Sequence, residues 1–151
     1  MTEMPTCVFF DTNVYIIGMA DPDSYERQVL KWAGFEQRES GSVEVVVSQE
    51  LFEQISRVAK RLRNKDWGSQ LIGRIWQNFN ICYVLLDAKE WARVETLGVI
   101  PREDVGVYLT AKKGKAQCFV SANHELIRTL VDRTGEFECF TPEDFVAKYI
   151  K

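Results

Sequence analysis

The stretch CVFFDTNVYI, residues 7–16, places apolar residues on both sides of Asp11 and Asn13. A short run of β-branched and aromatic residues reads as a buried strand, and a carboxylate directly behind it admits two readings. Asp11 either caps a turn or is one of several acids gathered where a sheet ends. The second reading makes a demand on the rest of the chain: further acids should follow other strands or open the helices that face the same edge.

Four more runs have the character of the first, at residues 43–47 (VEVVV), 81–86 (ICYVLL), 117–121 (QCFVS) and 137–140 (FECF). Helical spacing occupies the intervals, over residues 23–38, 48–63, 66–79, 88–97, 102–113, 124–133 and 142–150. Strands alternating with helices of this length pair in parallel through right-handed crossovers. The expected fold is therefore α/β, a three-layer α/β/α sandwich around a central, mostly parallel five-stranded sheet. No internal repeat or linker divides the 151 residues, so one domain over residues 1–151 is expected. Gly41 and Ser42 read as a turn before a strand. Ligands of such sheets bind beyond the carboxyl ends of the strands, where strand order reverses.

Composition narrows the class. Apolar residues make up 46% and charged residues 27% of the chain, close to soluble averages. No stretch approaches the roughly eighteen apolar residues of a membrane span. The start MTEMPTCVFF lacks the basic opening and long apolar core of a secretory signal, so a cytoplasmic protein is expected, with no membrane partner. Cys7, Cys82, Cys118 and Cys139 are widely spaced and form no CxxC pair, which points to reduced thiols rather than a zinc or redox site. A net charge of −3 argues against wrapping nucleic acid with the whole surface. Yet residues 57–65 carry Arg57, Lys60, Arg61, Arg63 and Lys65 without an acid, and Lys112, Lys113 and Lys115 follow later.

The acids that the first stretch demands are present in part. The strand at 117–121 runs into SANHEL, which brings Asn123 and Glu125 to the same kind of place as Asp11. Residues 102–113 open with PREDVGVYLTA from Pro101, and acids in a first helical turn also serve the helix dipole. Val105 and Leu109 mark the buried stripe of that helix, Asp104 lies at its margin beside Tyr108, and Glu103 points away. In SQELFEQISRVAKRL, Ser48 is the expected cap and Leu51, Ile55, Val58 and Leu62 the expected core stripe. Glu50, Gln54, Arg57 and Arg61 share one flank, and Glu53 lies on the far face. Glu50 reads equally as a partner of the dipole.

Taken together, VFFDTNVYI, an Asp before YLTA, and a strand running into FVSANHEL resemble the PIN domain, over nearly the whole chain. In that family, three or four acids at the carboxyl edge of a five-stranded parallel sheet bind Mg²⁺ or Mn²⁺ for RNA hydrolysis. Hard divalent cations prefer oxygen ligands, which accounts for the residue types. The resemblance assigns Asp11 to the first acid, Asp104 to the helix acid and Glu125 to the last. Two positions depart from the pattern. Gln54 stands where a Glu is usual, with Glu50 one turn earlier as a substitute ligand, and Asn123 stands where Asp is common. An amide oxygen can ligate but brings no charge, so a weaker hold on the metal is expected.

What the resemblance implies is a Mg²⁺- or Mn²⁺-dependent ribonuclease of single-stranded RNA, of the ribonuclease or toxin type. Asp11, Asp104, Asn123 and Glu125 would be catalytic, and Asp11, Asp104, Glu125 and Glu50 would be metal ligands. Arg57, Lys60, Arg61, Lys112 and Lys113 are the expected RNA contacts. The alternative is a catalytically degenerate PIN-like domain that binds RNA or a partner protein. An antitoxin or other protein partner, and a homodimer, stay open. Asn13 and Ser121 are expected to support the site by hydrogen bonds, or to serve the turn. Trp76 reads as core and Trp67 as the freer aromatic. A phosphoacceptor receiver domain would need a Lys after its fifth strand, where this chain has FTPED, and no GxGxxG follows the first strand for a dinucleotide.

Overall fold

The structure, a computed structural model, describes residues 3–37 and 43–150. Five strands form one sheet in the order β3-β2-β1-β4-β5: β1 Cys7–Phe10, β2 Glu44–Ser48, β3 Asn80–Val84, β4 Cys118–Val120 and β5 Glu138–Phe140. Every pairing is parallel, with Val8 opposite both Val45 and Cys118. The central strands carry apolar residues on both faces because helices cover both. Val8, Phe9, Phe10, Val45, Val46, Val47, Phe119 and Val120 are fully buried. Edge strands β3 and β5 keep exposed positions at Tyr83 and Glu138. The expected α/β/α architecture is the one observed. Residues 38–42, which include the expected Gly41-Ser42 turn, lie outside the described residues.

Two helices stand where one was expected. Helix α1, Thr12–Ala20, follows β1 at once, and α2 is Tyr25–Trp32, shorter than the expected 23–38. The sequence TNVYIIGMA has no polar face to mark a period, because this helix buries Val14, Tyr15, Ile16 and Gly18 together. Past α2, Gly34 takes a positive φ of 107°, which turns the chain out of the helix.

Helix α3, Gln49–Leu62, is capped as expected by Ser48, whose hydroxyl accepts from the N–H of Leu51 at 3.2 Å. Its core stripe differs from the expected one. Leu51, Ile55 and Ala59 are buried, while Val58 is half-buried and Leu62 is 60% exposed. Ala59 joins the stripe because helix α4, Lys65–Asn78, comes close through Gly68, where an added Cβ would lie 2.9 Å from that of Ala59. The two tryptophans reverse their expected roles. Trp76 is 49% exposed and stacks on Tyr83 of the edge strand at 5.8 Å, whereas Trp67 is half-buried with the Arg63 guanidinium 5.3 Å from its ring.

The second half alternates as read. Helix α5 is Ala88–Leu97 and α6 is Val105–Lys113, preceded by a 3-10 turn at Arg102–Asp104. Helices α7, His124–Arg133, and α8, Pro142–Tyr149, follow the last two strands. All four cysteines are free thiols, and among the described residues no helix is long and apolar enough to cross a membrane.

Gly114 sets how closely the end of α6 approaches the sheet: a Cβ there would lie 2.3 Å from a methyl of Val46 in the core. Gly114→Ala should therefore lower stability by roughly 1–3 kcal/mol. Gly73, with nothing within 4 Å of an added Cβ, should gain about 0.5–1 kcal/mol as Gly73→Ala. Urea unfolding checks both; equal shifts for the two variants would contradict this packing.

Candidate functional site

The chain steps from β1 to β2 and β3 on one side, then returns to lay β4 on the other side of β1. The carboxyl ends of β1 and β4 thus form the switch point of the sheet. Asp11 lies there, 6% exposed, and its backbone N–H donates to the carbonyl of Val120 at 2.9 Å. Its Oδ1 accepts from the N–H of Thr12 at 2.8 Å, so Asp11 is the N-cap of α1. Its Oδ2 accepts from the hydroxyl of buried Ser121 at 2.8 Å. The carboxylate of the opening stretch therefore caps a helix and sits at the sheet edge, and Asp104 is the one other acid among the residues that line the cavity there.

Ser121 Oγ is the centre of a small network. It accepts from Asn13 Nδ2 at 3.2 Å and from the N–H of Asn123 at 3.0 Å, while Asn13 Oδ1 accepts from the N–H of Ala122 at 2.9 Å. The loop after β4 is thereby tied to the start of α1, and the Asp11 carboxylate is held in one orientation. Asn13 and Ser121 make the supporting bonds expected of them.

A cavity of about 380 Å³ opens above this network. Asp11, Asp104, Gln54 and Asn123 give it a polar side, and Ile16, Ile17, Val58 and Leu62 an apolar one. Asp104 occupies the N-cap position of α6 but makes no side-chain capping bond, so its oxygens are not spent on the helix. Burial first, then repulsion from Asp11 and Glu103, lifts its pKa from 3.8 to about 6. Burial also raises the pKa of Asp11, against the bonds from Ser121 and Thr12. Gln54 Oε1 accepts from the Thr12 hydroxyl at 2.5 Å, and Asn123 Oδ1 accepts from the N–H of Leu126 at 3.2 Å as the cap of α7.

The remaining expected residues are spread more widely. Glu125 is exposed in the first turn of α7 and does not line this cavity. Glu50 and Arg57 line a neighbouring cavity of about 310 Å³ that shares Gln54 as a wall. Lys60, Arg61, Lys112 and Lys113 are exposed, and Lys112 reaches Glu136 at 3.9 Å. Among the described residues, no three of His, Cys, Asp and Glu gather closely enough to hold a metal ion. Sequence reasoning did not single out Thr12 as a site residue, although its place directly behind Asp11 is a signal. It also did not foresee the apolar wall, of which Val58 and Leu62 read as core.

The donor set decides which kind of ion would fit. Two carboxylates meet here with no cationic side chain among the residues lining the cavity, and the three amide oxygens, of Asn13, Gln54 and Asn123, already accept a hydrogen bond each. That is poor for a caged ion with many protein ligands. It suits a Mg²⁺-like ion, which is commonly held by one or two carboxylates and completed by waters and substrate phosphates.

The raised pKa of Asp104 carries a stability consequence. The folded protein prefers the protonated form, so the penalty is absent below about pH 4 and grows as pH rises through about 6. In metal-free buffer, Asp104→Asn should stabilise the protein at pH 7.5 by on the order of 1–2 kcal/mol, allowing for solvent screening. The gain should vanish near pH 4. Urea midpoints at the two pH values measure it, and a variant no more stable than the parent at pH 7.5 would show that the ionised Asp104 carries no such penalty.

Comparison with known proteins agrees with this architecture. A chain of the crystal structure of VapBC2 from Rickettsia felis bound to a DNA fragment from their promoter has the same fold. Its TM-score is 0.60 at 11% identity, over 89% of this chain and 98% of that one. No curated protein matches by sequence. The family model of the PIN domain matches residues 7–125, from the first residue of β1 to the first turn of α7, and so takes in Asp11, Gln54, Asp104, Asn123 and Glu125. The chain belongs to the PIN domain family.

Proposed function

We propose that this protein is a divalent-metal-dependent endoribonuclease that hydrolyses single-stranded RNA, with Mg²⁺ or Mn²⁺ held by Asp11 and Asp104. The observation that carries the reading is the meeting of these two carboxylates, from the end of β1 and the start of α6, at the switch point of a parallel sheet. PIN nucleases as a family use divalent metals, which agrees with the donor set.

The roles of the residues follow from their bonds. Asp11, locked by Ser121 and Thr12, presents a fixed anionic edge. Asp104, free of capping, supplies the second charge. When bound, a divalent ion supplies positive charge at the scissile phosphate and a water of lowered pKa. Asn123 and Gln54 line the cavity as neutral oxygens, and Arg57, one turn beyond Gln54 on α3, offers a cation for the RNA backbone. Glu125, which does not line the cavity, stays outside the proposed donor pair.

A second reading, a degenerate PIN-type domain that binds RNA or a partner protein such as an antitoxin, is favoured by the neutral side chains of Gln54 and Asn123 where acids are usual.

An end-labelled single-stranded RNA incubated with Mn²⁺ separates the two. The nuclease reading predicts internal cleavage, reduced by about 100-fold or more in Asp11→Asn, with weaker binding and a salt slope shallower by about one in Arg57→Ala. Asn123→Asp keeps the α7 cap and adds an anionic oxygen, so it should lower the Mn²⁺ concentration for half-maximal cleavage. RNA that binds but is never cut, even in Asn123→Asp, would favour the second reading.

A further inference from the structure

The cavity beyond Gln54 is built from different chemistry. Glu50, Gln54 and Arg57 of α3, Trp91 of α5, and Arg102 and Glu103 of the 3-10 turn line it. Trp91 and Glu50 also line a third cavity, of about 340 Å³, with Leu86 and Asp87. The indole therefore forms a wall between two hollows, with the Glu50 carboxylate beside it in both. Its six-membered ring lies against Gly106, where an added Cβ would approach it to 2.8 Å, and its N–H donates to Glu95 at 3.4 Å. Among the described residues, this ring stacks on no other ring and lies under no cation. Glu50, Arg57 and Glu103 likewise make no hydrogen bond or ion pair among them.

A half-buried aromatic wall beside unspent charges suits a planar ligand with a polar edge. Free phosphate suits it poorly, since Glu53 adds a third carboxylate to those of Glu50 and Glu103 against two arginines. A volume of about 310 Å³ is near the lower end of ligand pockets and takes one base rather than a larger molecule. The identity of the edge follows from donors and acceptors. A carboxylate accepts only, through two oxygens. Guanine alone presents two adjacent donors, N1–H and the N2 amino group, on its Watson–Crick edge. Adenine and cytosine each offer one donor beside an acceptor, and uracil one donor between two acceptors.

We propose that this cavity binds one unpaired guanine of the RNA, stacked on Trp91 with its Watson–Crick edge on the Glu50 carboxylate. The placement beside the cleavage site rests on the ribonuclease reading above, while the base site stands on its own residues. Arg57, and Arg102 with its side chain 83% exposed although it reaches Glu95 at 3.5 Å, supply cations for the flanking phosphates. Gln54 separates the base from the phosphate at Asp11 and Asp104. The enzyme would then cut next to a guanine.

The test uses the intact protein in metal-free buffer, with 5′-GMP, AMP, CMP and UMP titrated while the indole N–H resonances are followed. The Trp91 signal is assigned by its loss in Trp91→Phe. GMP should move it at the lowest concentration, AMP should need several-fold more, and CMP and UMP should move it least. Glu50→Gln should weaken GMP binding by about tenfold and abolish its advantage over AMP. Trp91→Leu, which lacks the reporting indole and is followed instead by equilibrium dialysis of each nucleotide, should bind all four more weakly, with its fold verified by the unshifted signals of Trp32, Trp67 and Trp76. A Trp91 signal that no nucleotide moves, or that all four move alike, would overturn the proposal, as would a guanine preference that survives Glu50→Gln. Asp11→Asn should leave the GMP titration unchanged. Guanine binding in a protein that never cleaves RNA would refute only the ribonuclease reading, and cleavage without guanine binding would refute only the base site.

Discussion

A carboxylate buried at the junction of β1, β4 and α1 is the constraint on which the rest of the structure turns. An ionised group removed from water costs several kcal/mol unless hydrogen bonds replace its hydration. Asp11 receives two, one from the helix it caps and one from Ser121 at the end of the neighbouring strand. The same residue thus ends a strand, starts a helix and fixes the loop after β4. Ser121 must remain a hydroxyl, because its O–H donates a hydrogen bond to Asp11 while its oxygen accepts from Asn13 and Asn123. The precision of the site is inherited from the sheet, because parallel pairing of Val8, Phe9 and Phe10 with Cys118, Phe119 and Val120 sets where both chain ends emerge.

The arrangement sets stability against function. Asp104 is brought towards Asp11 although each disfavours the charge of the other, and neither finds a cationic side chain in the cavity. Folds tolerate such strain where the rest of the core over-determines the geometry. Here an aromatic cluster does so: Phe10, Tyr15, Phe35 and Phe79 pack with ring centroids about 6 Å apart beneath α1, and Phe9 meets Phe119 at 4.9 Å across the two strands. The cost of the paired acids is localised, and a bound cation would remove it.

How much of this was legible in the chain depended on whether a residue's environment leaves a periodic mark. The strands did, because a sheet covered on both faces needs unbroken apolar runs such as Val45–Val47. Asp104 was separable from Glu103 by helical counting, since one side of α6 faces the sheet edge. Helix α1 left no mark: a helix buried on most sides has no polar stripe, and TNVYIIGMA reads as a continuation of apolar sequence. Leu62 and Trp76 look like core because spacing reports only which face a residue shares, not how far the covering element extends. Leu62 lies in the last turn of α3 at the cavity mouth, and Trp76 faces the open edge beside β3. Trp91 and Glu50 come to one cavity only because α3 and α5 both pack against α6, an arrangement that no local pattern encodes.

The central claim is that Asp11 and Asp104 together hold one divalent cation. Mn²⁺ titration followed by electron paramagnetic resonance measures it without reference to any substrate. The account predicts one ion bound per chain in the parent protein, with binding lost or greatly weakened in both Asp11→Asn and Asp104→Asn. Equal stoichiometry and affinity in the parent and both variants would contradict it.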